Sequence, residues 1–188
     1  MNTTAAVKAV VDVCCTSSNA VKIVNALPTR HILFVPDQHL GEYVQSQTDK
    51  LVITWDGNCY VHHQITPENI LKVKEAIPNL RVLVHPECRS DVVALADAVL
   101  STSGMVAYAK QSEATEFLVV TECGLSDRLV VEVPEKQFYR ACKLCQFMKM
   151  ITLESTQAAL EHMQHEIVLD ETTRAGAERS LRRMLELS

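Results

Sequence analysis

The sequence predicts an α/β fold with parallel sheets, in which strands alternate with helices along the chain. Short β-branched apolar runs are separated by stretches whose apolar residues recur at helical spacing. In addition, similar segments recur about 85 residues apart, which predicts two similar units. Parallel strands joined through helices connect by right-handed crossovers, so each unit is expected to have three layers, α/β/α.

Five apolar runs predict the strands. A buried parallel strand is apolar on both faces, so it appears as a short continuous run rich in Val, Ile and Leu. The runs are 32–35, 51–54, 82–84, 117–120 and 167–170.

Four stretches between these runs predict helices. Thr66 is suited to cap the first of them, and Pro67 suits its first turn. The last carries apolar residues on one side and arginines on the other. The stretches are 67–76, 91–100, 154–163 and 172–187.

The repeat keeps one register. Asp12 and Asp97 begin similar segments, Asp37 and Glu122 follow similar strands, and the members of each pair are 85 positions apart. A unit of this size is too long for a solenoid repeat. The predicted units are 1–80 and 81–165, followed by 166–188.

Composition excludes several classes of protein. With 47% hydrophobic and 22% charged residues, the chain is not expected to be disordered. The net charge of −5 and the scattered lysines and arginines argue against nucleic-acid binding. There is no apolar run long enough to span a membrane, and residues 1–9 do not resemble a signal peptide. We therefore expect a cytoplasmic protein whose seven cysteines are reduced.

Ligands of parallel sheets bind beyond the carboxyl ends of the strands. The segments there are polar: 36–41, 56–59, 85–88 and 121–124. Two further segments, 16–19 and 101–104, are rich in Ser and Thr and precede helices. These two could hold both ends of one anionic ligand, or they could simply be helix caps. No nucleotide-binding glycine motif is present.

The cysteines suggest a metal or a cofactor. Cys142 and Cys145 form a CxxC, which is typical of metal or redox sites, but a second close pair for a zinc site is missing. Cys15 ends an apolar run and is predicted to be buried. Cys59 falls one position from Cys145 in the repeat register, so two thiolates could meet on one cofactor, such as an iron–sulfur cluster.

Histidines lie beside these cysteines. His62 and His63 follow Cys59 and are possible zinc ligands, although adjacent side chains usually diverge. His85 and Glu87 flank a proline, a pattern that suits acid–base chemistry or a surface turn. At matching loop positions, Asp37 and Glu122 are expected to be caps or turn formers.

Taken together and in this order, the motifs resemble those of the quinolinate synthase family over essentially the whole chain. They are Asn2-Thr3, Cys15-Thr16-Ser17-Ser18-Asn19-Ala20, Pro36-Asp37-Gln38-His39-Leu40-Gly41-Glu42-Tyr43, Gly57-Asn58-Cys59-Tyr60-Val61-His62, His85-Pro86-Glu87-Cys88, Ser101-Thr102-Ser103-Gly104-Met105 and Cys145-Gln146-Phe147-Met148-Lys149-Met150-Ile151-Thr152-Leu153-Glu154. The resemblance implies a pseudo-threefold fold of three α/β/α units around a [4Fe–4S] cluster, with one cysteine ligand from each unit.

The resemblance also implies an activity. Quinolinate synthases condense iminoaspartate with dihydroxyacetone phosphate to form quinolinate for NAD biosynthesis, and the cluster acts as a Lewis acid. The unstable imine would come from an aspartate oxidase or dehydrogenase.

Site residues follow from the same resemblance. Cys59 and Cys145 would ligate the cluster, and Cys142 would be an additional thiol. His85 and Glu87 would bind substrate and move protons. The carboxylates and the phosphate of the ligands would be held by Asn2, Ser17 and Thr102. No role follows for Cys14, Cys15, Cys88 or Cys123.

In that family, 1–80 and 81–165 would be the second and third units, and 166–188 would be the strand and helix that complete the first unit. The first unit supplies the third cysteine ligand, so we expect this chain alone to be inactive. Two alternatives stay open: a non-catalytic metal- or iron–sulfur-binding fragment, and a thiol-redox protein that uses the CxxC.

Overall fold

A computed structural model describes residues 3–188 and has α/β architecture with two parallel sheets. The strands are β1 (His31–Phe34), β2 (Leu51–Thr54), β3 (Arg81–Val84), β4 (Ala98–Val99), β5 (Glu116–Val120) and β6 (Gln137–Arg140). The helices are α1 (Ala5–Val10), α2 (Ala20–Ala26), α3 (Gln38–Gln45), α4 (Tyr60–His63), α5 (Pro67–Ala76), α6 (Ser90–Val93), α7 (Thr102–Gln111), α8 (Gly124–Glu132), α9 (Gln146–Lys149), α10 (Leu153–His162) and α11 (Glu171–Leu187).

The first sheet consists of β1 and β2, which pair in parallel with His31 opposite Leu51. Side chains alternate between its two faces. Ile32, Phe34 and Val52 point to one face and are buried against α2 and α3. This half of the chain therefore has its core on one side of its sheet.

The second sheet has four parallel strands in the order β4-β3-β5-β6. One face carries Val82, Val84, Leu118 and Val120, which pack with residues of α5 and α6. The opposite face packs against α7 and α8 through residues such as Phe117. Both faces are covered by helices, which confirms the predicted α/β/α layering for this sheet.

Most predicted elements are confirmed. The runs at 32–35, 51–54, 82–84 and 117–120 form β1, β2, β3 and β5 within one residue at each end. Helices α5, α10 and α11 occupy the predicted stretches. At α5, the backbone nitrogen of Thr66 donates to Oδ1 of Asn69 at 3.1 Å, which helps to close the first turn.

The predicted helix at 91–100 is wrong in its second half. Helix α6 ends at Val93, and β4 follows and pairs with β3. Asp97, which directly precedes β4, holds it beside β3, because Oδ2 of Asp97 accepts the backbone N–H of Val82 at 2.7 Å. Short apolar runs suit either structure, and here pairing with the neighbouring strand decided the outcome.

The predicted strand at 167–170 is also wrong. This stretch has no regular secondary structure, and Ile167 and Val168 are exposed. It pairs with no strand among residues 3–188, and an apolar run without a neighbour has no ladder to join. β6 was not predicted, because its sequence, Gln-Phe-Tyr-Arg, is half polar.

Helix α11 packs along α1. The two backbones are close at Gly176, where an added Cβ would lie 2.7 Å from the carbonyl oxygen of Ala9. Ser180 Oγ donates to the carbonyl oxygen of Lys8 at 2.7 Å. Among the described helices, none is long and apolar enough to cross a membrane.

Candidate active site

The polar residues that follow the strands come together at the carboxyl edges of the two sheets. Asp37 follows β1, Cys59 follows β2, His85 follows β3, and Cys145 follows β6. Thr121 directly follows β5 and accepts a hydrogen bond from His62 that links the two sheets. This is the edge at which parallel α/β sheets bind ligands.

Two carboxylates related by the repeat hold two cysteines related by the repeat. Asp37 Oδ2 accepts the backbone N–H of Cys59 at 2.8 Å, and Glu122 Oε1 accepts that of Cys145 at 3.2 Å. The second oxygen of Asp37 accepts the backbone N–H of Leu40, and the second oxygen of Glu122 accepts the backbone N–H of Gly124. The prediction that these carboxylates cap loops is therefore confirmed. In addition, each carboxylate fixes the position of a cysteine.

Cys59 and Cys145 also share a local setting. Each immediately precedes a one-turn helix, α4 in one case and α9 in the other. Tyr60 joins these helices, because its hydroxyl accepts the backbone N–H of Gln146 at 2.8 Å and its ring packs edge-on against Phe147. Burial and a hydrogen bond with Cys145 raise the pKa of Tyr60, and the charge of Cys59 adds to this effect. Both thiols therefore lie beside one tyrosine.

A cluster of acid–base groups adjoins Cys59. The sulfur of Cys59, the ring nitrogen of His62 and the carboxylate of Glu87 lie within 4.8 Å of one another. His62 Nδ1 is 3.3 Å from Glu87 Oε2, but it makes no well-aligned hydrogen bond. The ring of His62 stacks on that of His85, with 4.6 Å between the centroids. A sulfur, a nitrogen and an oxygen in this arrangement could hold a metal ion.

The members of this cluster shift one another's pKa values. Burial opposes ionisation of His62, yet its interactions with Cys59 and Glu87 raise its pKa to about 9. Burial likewise opposes ionisation of Cys59 and Glu87, but the neighbouring His62 lowers the pKa of both groups. At neutral pH, the cluster therefore favours an imidazolium beside a carboxylate and stabilises the thiolate.

His85 is the neutral member. Burial, reinforced by the positive charge of His62, lowers its pKa to about 4. The backbone N–H of Glu87 donates to His85 Nδ1 at 3.3 Å, so the ring proton lies on Nε2. Nε2 is 3.2 Å from Ser17 Oγ, to which it donates. Because His85 is uncharged, its 4.0 Å approach to Glu87 is not an ion pair.

The structure brings together some predicted site residues. Ser17, His85, Glu87 and Cys59 belong to one cluster, as described above. Thr102 is exposed in the first turn of α7, and no hydrogen bond joins it to this cluster within residues 3–188. Asn2 lies outside the described residues.

Two expectations about the cysteines are wrong. Cys142 is disulfide-bonded to Cys123, so these thiols are not reduced, and the CxxC does not pair within itself. The reason is spatial: Cys123 follows β5, Cys142 follows β6, and the two strands are neighbours. Cys15 is half-buried rather than buried, and burial raises its pKa to about 11.

The buried thiols are Cys14 and Cys88. Burial raises the pKa of Cys88 to about 12, which keeps that thiol protonated. Cys14 packs beside α11 and is 3.3 Å from Ser180 Oγ. Both side chains are enclosed by the protein, whereas Cys59 and Cys145 are partly exposed.

Sequence reasoning gave His62 an individual role only as a possible zinc ligand, and it included Thr121 only as part of the polar segment 121–124. The prediction that the adjacent histidines diverge is confirmed, because His62 is buried whereas His63 is exposed. Nδ1 of His63 lies 2.9 Å from Nε2 of His39. The position of Thr121 directly after a strand could have indicated it as a site residue, because the other site residues also follow strands.

The donor chemistry suits an iron–sulfur cluster. Such clusters are held by cysteine thiolates. Cys59 and Cys145 are both partly exposed and held by matching carboxylates, and the pKa of Cys59 is lowered. His62 Nδ1, a buried nitrogen without a well-aligned partner, lies beside Cys59 and Glu87.

Comparisons with known proteins find relatives over essentially the whole chain. The family described as "Quinolinate synthetase A protein" matches residues 1–186. Quinolinate synthase 1 of Methanosarcina acetivorans is 49% identical over 187 residues, which cover 98% of this chain and 62% of that relative. Quinolinate synthase of Clostridium novyi is 45% identical over 189 residues, and these cover the whole chain and 63% of the relative. The chain thus spans less than two thirds of the length of these relatives.

Proposed function

Because this chain belongs to the quinolinate synthetase A family, we propose that it functions in quinolinate synthesis for NAD biosynthesis. The reaction is the condensation of iminoaspartate with dihydroxyacetone phosphate. The observation that carries the proposal is the joining of Ser17, His85, Glu87, His62 and Cys59 into one cluster at the sheet edge. Dispersed surface turns would not produce this cluster.

Each member of the cluster has a role that its protonation state supports. His85 Nε2–H is a neutral donor that can bind a substrate oxygen or nitrogen in place of Ser17. Glu87 is ionised and half-enclosed, so it can accept a proton from a carbon or nitrogen acid. His62 carries the positive charge that stabilises Glu87 and the Cys59 thiolate.

Cys59 and Cys145 are the residues of this chain that would hold a [4Fe–4S] cluster. When bound, the cluster would supply a Lewis acid to polarise a substrate atom. Asp37 and Glu122 keep the two cysteine loops in place. Asn2, Ser17 and Thr102 are proposed to bind the carboxylates and the phosphate of the substrates.

The finer fold assignment is part of the same proposal. We assign 1–80 and 81–165 to two units of a pseudo-threefold fold and 166–188 to the closing segment of another unit. The matched positions of Asp37 and Glu122, and of the cysteines that they hold, support the symmetry. A cytoplasmic location and an aspartate oxidase or dehydrogenase as the source of the imine complete the proposal.

A chimera tests the activity. In the Methanosarcina acetivorans relative, the matched segment is replaced by this chain, and the protein is purified without oxygen. We expect quinolinate formation, and we expect Glu87→Gln to lower kcat about a hundredfold or more. Glu161→Gln, at an exposed glutamate of α10, is the matched control. An active Glu87→Gln chimera would contradict the assigned role.

Iron and sulfide content test the ligands separately from activity. Cys59→Ser and Cys145→Ser are expected to lower both contents in the chimera, whereas Cys88→Ser should leave them unchanged, since Cys88 is a buried, protonated thiol. Zinc bound without sulfide would favour the metal-binding alternative, for which Cys59, His62 and Glu87 are the candidate ligands.

A further inference from the structure

The one-turn helices that follow Cys59 and Cys145 are joined at their first residues. Because these cysteines correspond in the repeat after a shift of one position, the first residue of α4, Tyr60, is equivalent to the first residue of α9, Gln146. The hydroxyl oxygen of Tyr60 accepts the backbone N–H of Gln146 at 2.8 Å, across 86 positions of the sequence. One hydrogen bond therefore links two equivalent helices directly.

The two helices differ in what they offer their cysteines. A ring nitrogen of His62, in α4, lies within 4.8 Å of the sulfur of Cys59, and the positive charge of that ring stabilises the thiolate. The residue of α9 that corresponds to His62 is Met148, which is exposed and whose thioether has no proton to donate. Helix α9 therefore gives Cys145 no counterpart of His62.

The hydroxyl of Tyr60 can take the place of that missing donor. Its oxygen accepts from Gln146, so its one proton is free for a second partner. Cys145 is this partner, since partial burial and then a hydrogen bond with Cys145 raise the pKa of Tyr60 and keep the proton on the hydroxyl. The backbone N–H of Cys145 points instead to Glu122 Oε1, at 3.2 Å.

We propose that Tyr60 is a positioning residue for Cys145, which donates its hydroxyl proton to the sulfur and ties the loop of Cys145 to that of Cys59. The inference rests on the proposed function, in which both cysteines are ligands of an iron–sulfur cluster. Helix α4 thereby serves both ligands, Cys59 through His62 and Cys145 through Tyr60. Hydrogen bonds to ligand sulfurs help to set the reduction potential of such clusters, because they draw electron density from the thiolate.

Tyr60→Phe isolates the hydroxyl. The variant keeps the ring, which packs edge-on against Phe147 with 5.8 Å between the centroids. Tyr139→Phe is the matched control, because the hydroxyl of Tyr139 in β6 donates to Oε1 of Glu116 at 3.0 Å. Each substitution removes one hydroxyl that makes a hydrogen bond between two elements, but only the first removes it beside the cysteines.

Amide hydrogen exchange of this chain without metal, followed by NMR, tests the link between the loops. In Tyr60→Phe the backbone N–H of Gln146 loses its acceptor, so we expect it to exchange about tenfold faster than in the parent. The Tyr139→Phe control should match the parent at Gln146. Unchanged exchange at Gln146 in Tyr60→Phe would overturn the proposal.

The reduction potential of the cluster tests the donor to Cys145. It is measured without oxygen in the chimera with the Methanosarcina acetivorans relative, and we expect a more negative potential for Tyr60→Phe and no change for Tyr139→Phe. A link that only holds the loops together would not move the potential, so an unchanged value in Tyr60→Phe would also overturn the proposal. Neither measurement uses quinolinate formation. An inactive parent chimera would therefore contradict the proposed function, and these two results would still decide the role of Tyr60.

Discussion

His62 Nε2 and Thr121 Oγ1 are 2.9 Å apart, and both side chains are buried. His62 belongs to the segment after β2, and Thr121 directly follows β5, so this hydrogen bond joins the first sheet to the second. Since His62 is protonated at neutral pH, its Nε2–H donates to the threonine hydroxyl. The bond therefore sets the direction in which Nδ1 of the same ring faces Cys59 and Glu87.

Thr121→Val should weaken the fold. The isosteric change leaves a buried N–H of His62 without an acceptor, and we expect the free energy of unfolding to fall by about 1–3 kcal/mol. Urea denaturation measures the change. Thr121→Ser keeps the hydroxyl and should lose less stability than valine. Equal losses in the two variants would show that the hydroxyl does not matter.

Cys59 should react with iodoacetamide faster than Cys88 does. Its pKa is lowered by His62 and it is partly exposed, whereas Cys88 is buried with a pKa of about 12. After metal removal with a chelator, iodoacetamide should label Cys59 first, as followed by mass spectrometry. His62→Gln should slow this labelling by about tenfold for each unit by which the thiol pKa rises. Unchanged labelling of Cys59 would exclude His62 as the cause.

His85 should make stability fall at acidic pH. Its pKa is near 6.5 when unfolded and about 4 when folded, so the unfolded chain binds more protons between these values. The stabilising contribution is complete above pH 6.5 and is lost as the pH falls to 4. The loss is on the order of 3 kcal/mol, because one pKa unit is worth about 1.4 kcal/mol.

Urea denaturation across this pH range measures the effect of His85. His85→Asn should flatten the dependence between pH 6.5 and 4, even if its stability at pH 7 is lower. His31→Asn, at an exposed histidine of β1, should retain the slope. A slope that survives in His85→Asn would assign the titration to another group.

The Cys123–Cys142 disulfide should stabilise the oxidised chain. It joins residues 19 positions apart, and closing a loop of that size contributes about 3 kcal/mol through the unfolded state. Cys142→Ser should lose this amount without reductant and differ little from the parent in dithiothreitol. If the parent is equally stable with and without reductant, the disulfide does not contribute.

The sequence predicted four strands and the α5, α10 and α11 helices, because the periodicity of apolar residues reports directly which face of an element is buried. It failed at 91–100 and 167–170. In these stretches the apolar pattern is compatible with more than one structure, and the presence or absence of a neighbouring strand decides between them.

The sequence by itself determined the α/β class, contained the 85-residue register and indicated Cys59, His85 and Glu87 as candidate site residues, since motifs and spacing are local properties of the chain. Only the tertiary structure decided which groups touch. Pairing of Cys142 with Cys123, and the contacts of His62 with Thr121, join residues that are far apart in sequence. These contacts depend on which strands are neighbours, and strand order is not written in the periodicity of any one segment.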